Sequence, residues 1–213
     1  MRLKRPVAEA APRTAFGFRT IGELAERCGH YCWIENRLFA LTGMWASTPW
    51  APGARAAIEA EIRVIASEMS SWHGFVAGQW RERLPVRAGV DADALVVPPP
   101  GPLGPALDLL EAETDLTGAF CELVEEILPA LLAAYDEHLA HASPVSEAPV
   151  CALLGLVRPR IELEIEGGRE LLLRGRRAGG DEGGATRTGF DTSGRLQPVL
   201  GAERTIFPGA RAS

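Results

Sequence analysis

The places where this sequence could do chemistry are the titratable side chains that fall on the apolar stripe of a helix. Burying such a group costs several kcal/mol unless it is paired or holds a metal. Glu35 is the sharpest case, at the centre of the first stripe between Cys28 and Cys32 on one side and Phe39 and Thr42 on the other. His73 falls to one side of the second stripe's centre and Glu61 to the other, while Glu164 lies close to the centre of the fourth. On the third, Glu113 and His138 turn inward and Glu122 and Glu126 face solvent. If the helices form two hairpins joined by one long crossover, helical rise brings Glu35, His73 and Glu164 to within about 6 Å of a common mid-plane, with Glu61, Glu113 and His138 nearer the ends.

Carboxylates and an imidazole inside a helical bundle suit iron, in one or two ions, because carboxylates tolerate a change of oxidation state and imidazole is a fixed donor. Without a metal, Glu35 and His73 would serve as acid and base at neutral pH. Met69, Trp72, Trp80 and Trp45 would line a pocket for an aromatic or polyketide-like small molecule. Each residue also has a plainer reading. Glu35 pairs with His73, Tyr31 or an indole; His73 is a satisfied core histidine; His138 and His141 complement a helix C-terminus, and Glu113 an N-terminus.

One motif is missing. The residues three before His30, His73, His138 and His141 are Arg27, Ser70, Tyr135 and His138, so no Glu-x-x-His pair of the di-iron type exists. There is no G-x-S-x-G elbow, H-E-x-x-H helix, P-loop or GxGxxG either.

Four segments carry the helical period that would position these groups: about 20–48, 54–84, 105–142 and 150–174. Pro52 and Pro85 punctuate the second, and Pro129 and Pro159 should kink the third and fourth. Alternation is absent from these windows, so the class is all-α, and four amphipathic helices bury their stripes most simply as a four-helix bundle. Short links join helices one and two around Pro49-Trp50-Ala51-Pro52-Gly53 and helices three and four through Ser143-Pro144. Pro85 to Gly104, with Pro98-Pro99-Pro100, is long enough to run the length of a helix at about 3.1 Å per extended residue. Two hairpins and one long crossover is ferritin-like connectivity. The helical domain spans 20–174, and 1–19 and 175–213 are flexible or docked tails. The second tail has a Gly- and Arg-rich linker and a short apolar end (Leu196, Val199, Leu200, Ile206 and Phe207).

The chain of 213 residues carries 22 Lys plus Arg against 28 Asp plus Glu, a formal charge of −6. That balance disfavours nucleic acid as a partner, since phosphate binding rests on cations. No apolar run spans a bilayer. Four cysteines with i, i+4 spacing at Cys28 and Cys32 read as reduced, buried thiols, which makes the cytoplasm the expected compartment. A small-molecule substrate is the expected partner, and a homodimer is allowed.

CGHYCWIENRLFALTGMWAS, then SSWHGFVAGQWRERLP, then LPALLAAYDEHLAHASPV resembles a group of actinobacterial ferritin-like proteins, several of which occur in specialised-metabolite biosynthesis. The likeness covers about residues 20–170 and rests on Glu35 after Cys-Trp, the Trp72-His73 pair with Trp80, and the LP…Y…HLA segment. It implies a ferritin-like bundle and a metal-dependent oxidation of antibiotic-biosynthesis type, with Glu35, His73 and Glu164 as ligands. Metal-competent relatives would have histidines near positions 69 and 70, where this chain has Met69 and Ser70. Two readings follow: a ferritin-like oxidoreductase or acid–base enzyme, or a metal-free binding or scaffold protein that has lost the site.

Overall fold

A computed structural model of the chain describes residues 19–49, 56–86, 89 and 91–180. Helix α1, Ile21–Ser47, starts where Thr20 and Glu23 exchange side-chain bonds to each other's backbone N–H, which satisfies two donors that an uncapped helix leaves open. Helix α2 is Ala56–Arg81. It runs antiparallel to α1, with Ala77 opposite Cys32, Ser70 opposite Phe39 and Arg63 opposite Ala46. Gly43 and Gly74 permit the close approach, because a Cβ would stand 2.9 Å from the Ser70 hydroxyl and 3.0 Å from the Phe39 ring, respectively.

The crossover from α2 passes through a short 3₁₀ turn at Asp93–Leu95 and lies against α1. Gly29 makes room for it: a Cβ there would be 2.1 Å from the Leu95 carbonyl oxygen. His30 Nδ1 meets the Val97 carbonyl at 3.0 Å, which ties down the next turn of the segment. Helix α3, Leu103–Ala112, is fastened to α1 by Arg37, whose guanidinium donates to Asp108 at 2.8 Å and Glu111 at 2.9 Å.

Helix α4, Leu116–Glu122, is capped by Asp115, which accepts from Thr117 N–H at 3.1 Å. It continues without interruption through a π turn at Leu123–Ile127 into α5, Leu128–His141. Helix α6, Ala148–Gly180, returns antiparallel to α5, pairing Arg158 with Asp136 and Arg169 with Glu125. It also lies antiparallel to α2, with Glu164 opposite His73 and Arg174 opposite Glu61. The core between them holds Ile34, Leu38, Ile62, Val76, Phe120, Leu131, Leu154 and Val157. No strand occurs among the described residues, so the class is all-α.

Several expectations need correction. The third apolar segment is not one kinked helix: it breaks at Glu113–Asp115, where Asp115 caps a new start. Pro129 lies just past the π turn, inside the continuous helix, where the wider i+5 turn stands in place of the expected break. Pro159 lies inside α6, as expected, but that helix extends to Gly180 instead of 174. Glu122 and Glu126 are buried, not solvent-facing, because the helix restarts behind Asp115 and then widens into a π turn, so no single 3.6-residue wheel runs through the segment. Glu61 is exposed in its pair with Arg174, and Phe39, placed on the first stripe, leaves about half its surface in solvent. The linker and apolar end expected beyond residue 180 lie outside the described residues.

Candidate functional site

Glu35, His73 and Glu164 meet in one line across three helices. Glu35 and His73 have no exposed surface and Glu164 has 6%. His73 Nδ1–H donates to Glu35 Oε2 at 2.5 Å. On the other side of the ring, Nε2 faces Glu164 Oε2 at 3.4 Å, an ion-pair contact that falls short of a well-aligned hydrogen bond. Arg160, one turn back along α6, donates through Nε to Glu164 Oε1 at 3.2 Å. Glu35 Oε1 accepts the Tyr135 hydroxyl at 2.5 Å, and that hydroxyl accepts the Trp80 indole N–H at 3.2 Å. Both Glu35 oxygens are thus acceptors, as a carboxylate requires.

The charges balance. Burial alone would lower His73, but Glu35 first and then Glu164 reverse the effect and hold the imidazole up at about 10. It is therefore a cation at neutral pH, flanked by two carboxylates, the second of which also meets Arg160. Burial and the adjacent Glu35 carboxylate raise Tyr135 well above the ordinary phenol range, so it stays a neutral donor. Removing either partner of such a pair strands the other charge in a dry interior, which is why the group is costly to break.

This geometry decides how the residues fit a metal. A metal-ligating histidine offers a ring lone pair. Here each ring nitrogen faces its own carboxylate, so a metal would have to displace one of those contacts and the ring proton in it. Among the described residues no group of three or more His, Cys, Asp or Glu side chains could hold a metal ion. The residues present do not fit iron in this arrangement.

The four residues expected to line a pocket disperse. Met69 and Trp80 are core residues; Trp80 is engaged with Tyr135. Trp72 is half-buried, with Phe75 at 5.5 Å between ring centroids and Arg160 over its face at 5.9 Å. Trp45 is fully buried near the end of α1. The open groove of about 490 Å³ between α1 and α2 is lined by Ala46, Ala60, Arg63, Val64, Ser67 and Glu68, none of them in that set.

A second buried polar group escapes any reading of one helix at a time. His138 has no exposed surface; its Nε2 meets Glu147 Oε2 at 3.1 Å and its Nδ1 meets the Tyr31 hydroxyl at 3.2 Å. Glu147 Oε1 accepts the Ser143 N–H at 3.1 Å, and Arg19 stands 3.7 Å from Oε2. Burial first, then the Arg19 and Arg27 cations, push His138 well below the ordinary histidine range. The neutral imidazole is therefore the form present at neutral pH. His138 turns inward, as its place on the stripe predicts, and the plainer reading of a helix-end residue fits only His141, exposed and bonded to the Glu137 carbonyl at 2.8 Å. Glu147 sits in the link before α6, outside every periodic window, so no stripe argument could have found it.

The four thiols divide as their surroundings dictate: Cys28, Cys32 and Cys121 are buried, and Cys151 is partly so. No helix of the described residues is long and apolar enough to cross a membrane. Comparison with protein-family models, with characterised proteins and with solved structures gives no match.

Proposed function

We propose that the chain is a metal-independent, ferritin-like helical protein of the cytoplasm that acts by binding, as a scaffold or carrier, instead of by oxygen chemistry. The ferritin-like reading is supported by antiparallel α1 and α2, a long crossover laid on α1, antiparallel α5 and α6, and α2 against α6. A metal-free protein is favoured over an iron-dependent oxidase by one observation: His73 lies between Glu35 and Glu164 with a carboxylate at each ring nitrogen. Donors that would converge on a metal are spent on one another. Acid–base catalysis is disfavoured by the same contacts, since Glu35 already accepts two hydrogen bonds and neither it nor His73 reaches the surface.

The test is elemental analysis of protein purified from iron-supplemented cells, with calorimetric titration of iron(II) into the wild type and Glu35→Ala. The expected result is iron well below one ion per chain and no Glu35-dependent heat. About one or two ions per chain, as a carboxylate–histidine site would take, lost on Glu35→Ala, would overturn the proposal in favour of the oxidase.

A further inference from the structure

The chain has two tyrosines, Tyr31 and Tyr135. Both are fully buried, and their rings meet edge to face with centroids 4.8 Å apart. Trp80 leans on both, at 4.8 Å from Tyr31 and 5.8 Å from Tyr135. His138 stacks on the remaining side of Tyr31 at 5.6 Å.

The hydrogen-bond partners fix the tautomer. Glu147 accepts the Ser143 N–H through Oε1 and turns Oε2 to Arg19 and to His138, so His138 Nε2 is placed to donate its N–H there. In the neutral ring Nδ1 then carries the lone pair, and it faces the Tyr31 hydroxyl at 3.2 Å. That hydroxyl donates to the Ala134 carbonyl as well, at 3.2 Å, so its one proton is shared between the carbonyl and Nδ1, and Arg27, held by Glu137 at 2.7 Å, bears on the oxygen. Carboxylate, imidazole and hydroxyl in this order form the relay that activates a nucleophile in acyl-transfer enzymes. Here the hydroxyl is a phenol with no exposed surface, so no substrate carbonyl reaches it. Electrons and protons are what can move through such a place.

We propose that Tyr31 is a redox-active tyrosine, which gives one electron to an outer-sphere one-electron oxidant while its hydroxyl proton passes to His138. The O–H bond of Tyr31 breaks and an N–H bond forms at His138 Nδ1. The products are a neutral phenoxyl radical, an imidazolium facing Glu147, and an oxidant reduced by one electron. Return of the electron and proton restores the starting state. The base is what makes the step feasible, because loss of an electron alone would leave a cation on a phenol buried in apolar surroundings. Tyr135 is the poorer site. Its proton would have to go to Glu35, which would leave the buried His73 cation without the carboxylate 2.5 Å away.

The full chain is mixed with hexachloroiridate(IV), freeze-quenched and followed by electron paramagnetic resonance. A phenoxyl signal that persists for seconds is expected, narrowed when the tyrosine rings are deuterated. Tyr31→Phe, checked for native helix content by circular dichroism, should abolish it. Tyr135→Phe should keep it, and His138→Gln should shorten its lifetime at least tenfold. In the wild type, ¹⁵N-histidine labelling should give a nitrogen coupling to the radical, a readout that needs no variant to fold. A signal that survives Tyr31→Phe and vanishes in Tyr135→Phe would overturn the proposal, as would a phenoxyl radical without histidine coupling or no phenoxyl radical at all.

Discussion

The Tyr135 hydroxyl donates to Glu35 Oε1 at 2.5 Å, across a sequence separation of 100 residues. The other oxygen of that carboxylate receives His73 from α2, so one side chain on α1 joins three helices at the centre of the core. Glu35→Ala would remove the acceptor and leave a buried imidazolium and an unsatisfied phenol. The expected loss is about 3–5 kcal/mol, read as a lower urea midpoint at unchanged slope. The double variant Glu35→Leu/His73→Leu removes both charges together and should recover most of that loss, because apolar residues of similar volume often replace a buried ion pair at little cost. If both unfold at the same urea concentration, the pair is not the source of the cost.

His73 makes stability depend on pH in a definite direction. Its folded value, about 10, stands above the ordinary 6.5, so the folded state binds the proton more tightly. The stabilisation is fully present below pH 6.5 and fades as pH rises through the folded value near 10. Cys28, pushed up to about 12 by burial, adds a further alkaline loss. Subtracting the curve of Glu35→Leu/His73→Leu isolates the histidine contribution. A wild-type stability that stays parallel to that variant between pH 6.5 and 10 would contradict the assignment.

Gly29 is an open seat for the crossover. Gly29→Ala would put a methyl group 2.1 Å from the Leu95 carbonyl oxygen and push the segment off α1. The expected cost is about 1–3 kcal/mol, as for other overpacked contacts. Limited proteolysis of the crossover should accelerate with it, since the His30 contact with Val97 would be lost as well.

Gly167 and Gly168 are neighbours with opposite surroundings. A Cβ at Gly167 meets nothing within 4 Å, whereas one at Gly168 would stand 2.5 Å from a Val124 methyl carbon. Gly167→Ala should therefore stabilise α6 by about 0.5–1 kcal/mol through helix propensity alone. Gly168→Ala should destabilise the fold, because Val124 is branched and buried and has little room to turn. Thermal melts of the two variants should shift in opposite directions.

The sequence made α1 and α2 legible because each is a long, uninterrupted wheel with one apolar face. The meeting of Glu35, His73 and Glu164 followed from stripe position, helical rise and the expected connectivity of two hairpins and one long crossover. Reading failed from residue 113 to 127. There the chain breaks, restarts behind Asp115 and then widens into a π turn, so a single 3.6-residue period assigns Glu122 and Glu126 to the wrong face. The break had a signal in Glu113-Thr114-Asp115, a capping residue ahead of an apolar run, which the length of the surrounding hydrophobic pattern masked. The Tyr31–His138–Glu147 group was invisible for another reason: its members come from α1, α5 and a link, and no period connects them.

The N–H of His73 and the O–H of Tyr135 both point at Glu35, and the Trp80 indole backs the second of them. Each of the two donors presents its positive end to that carboxylate, so the middle of this protein carries a fixed, oriented electric field. A nitrile or carbonyl vibration placed there would have its frequency set by that field, and the direction of its shift would map the alignment of the three donors.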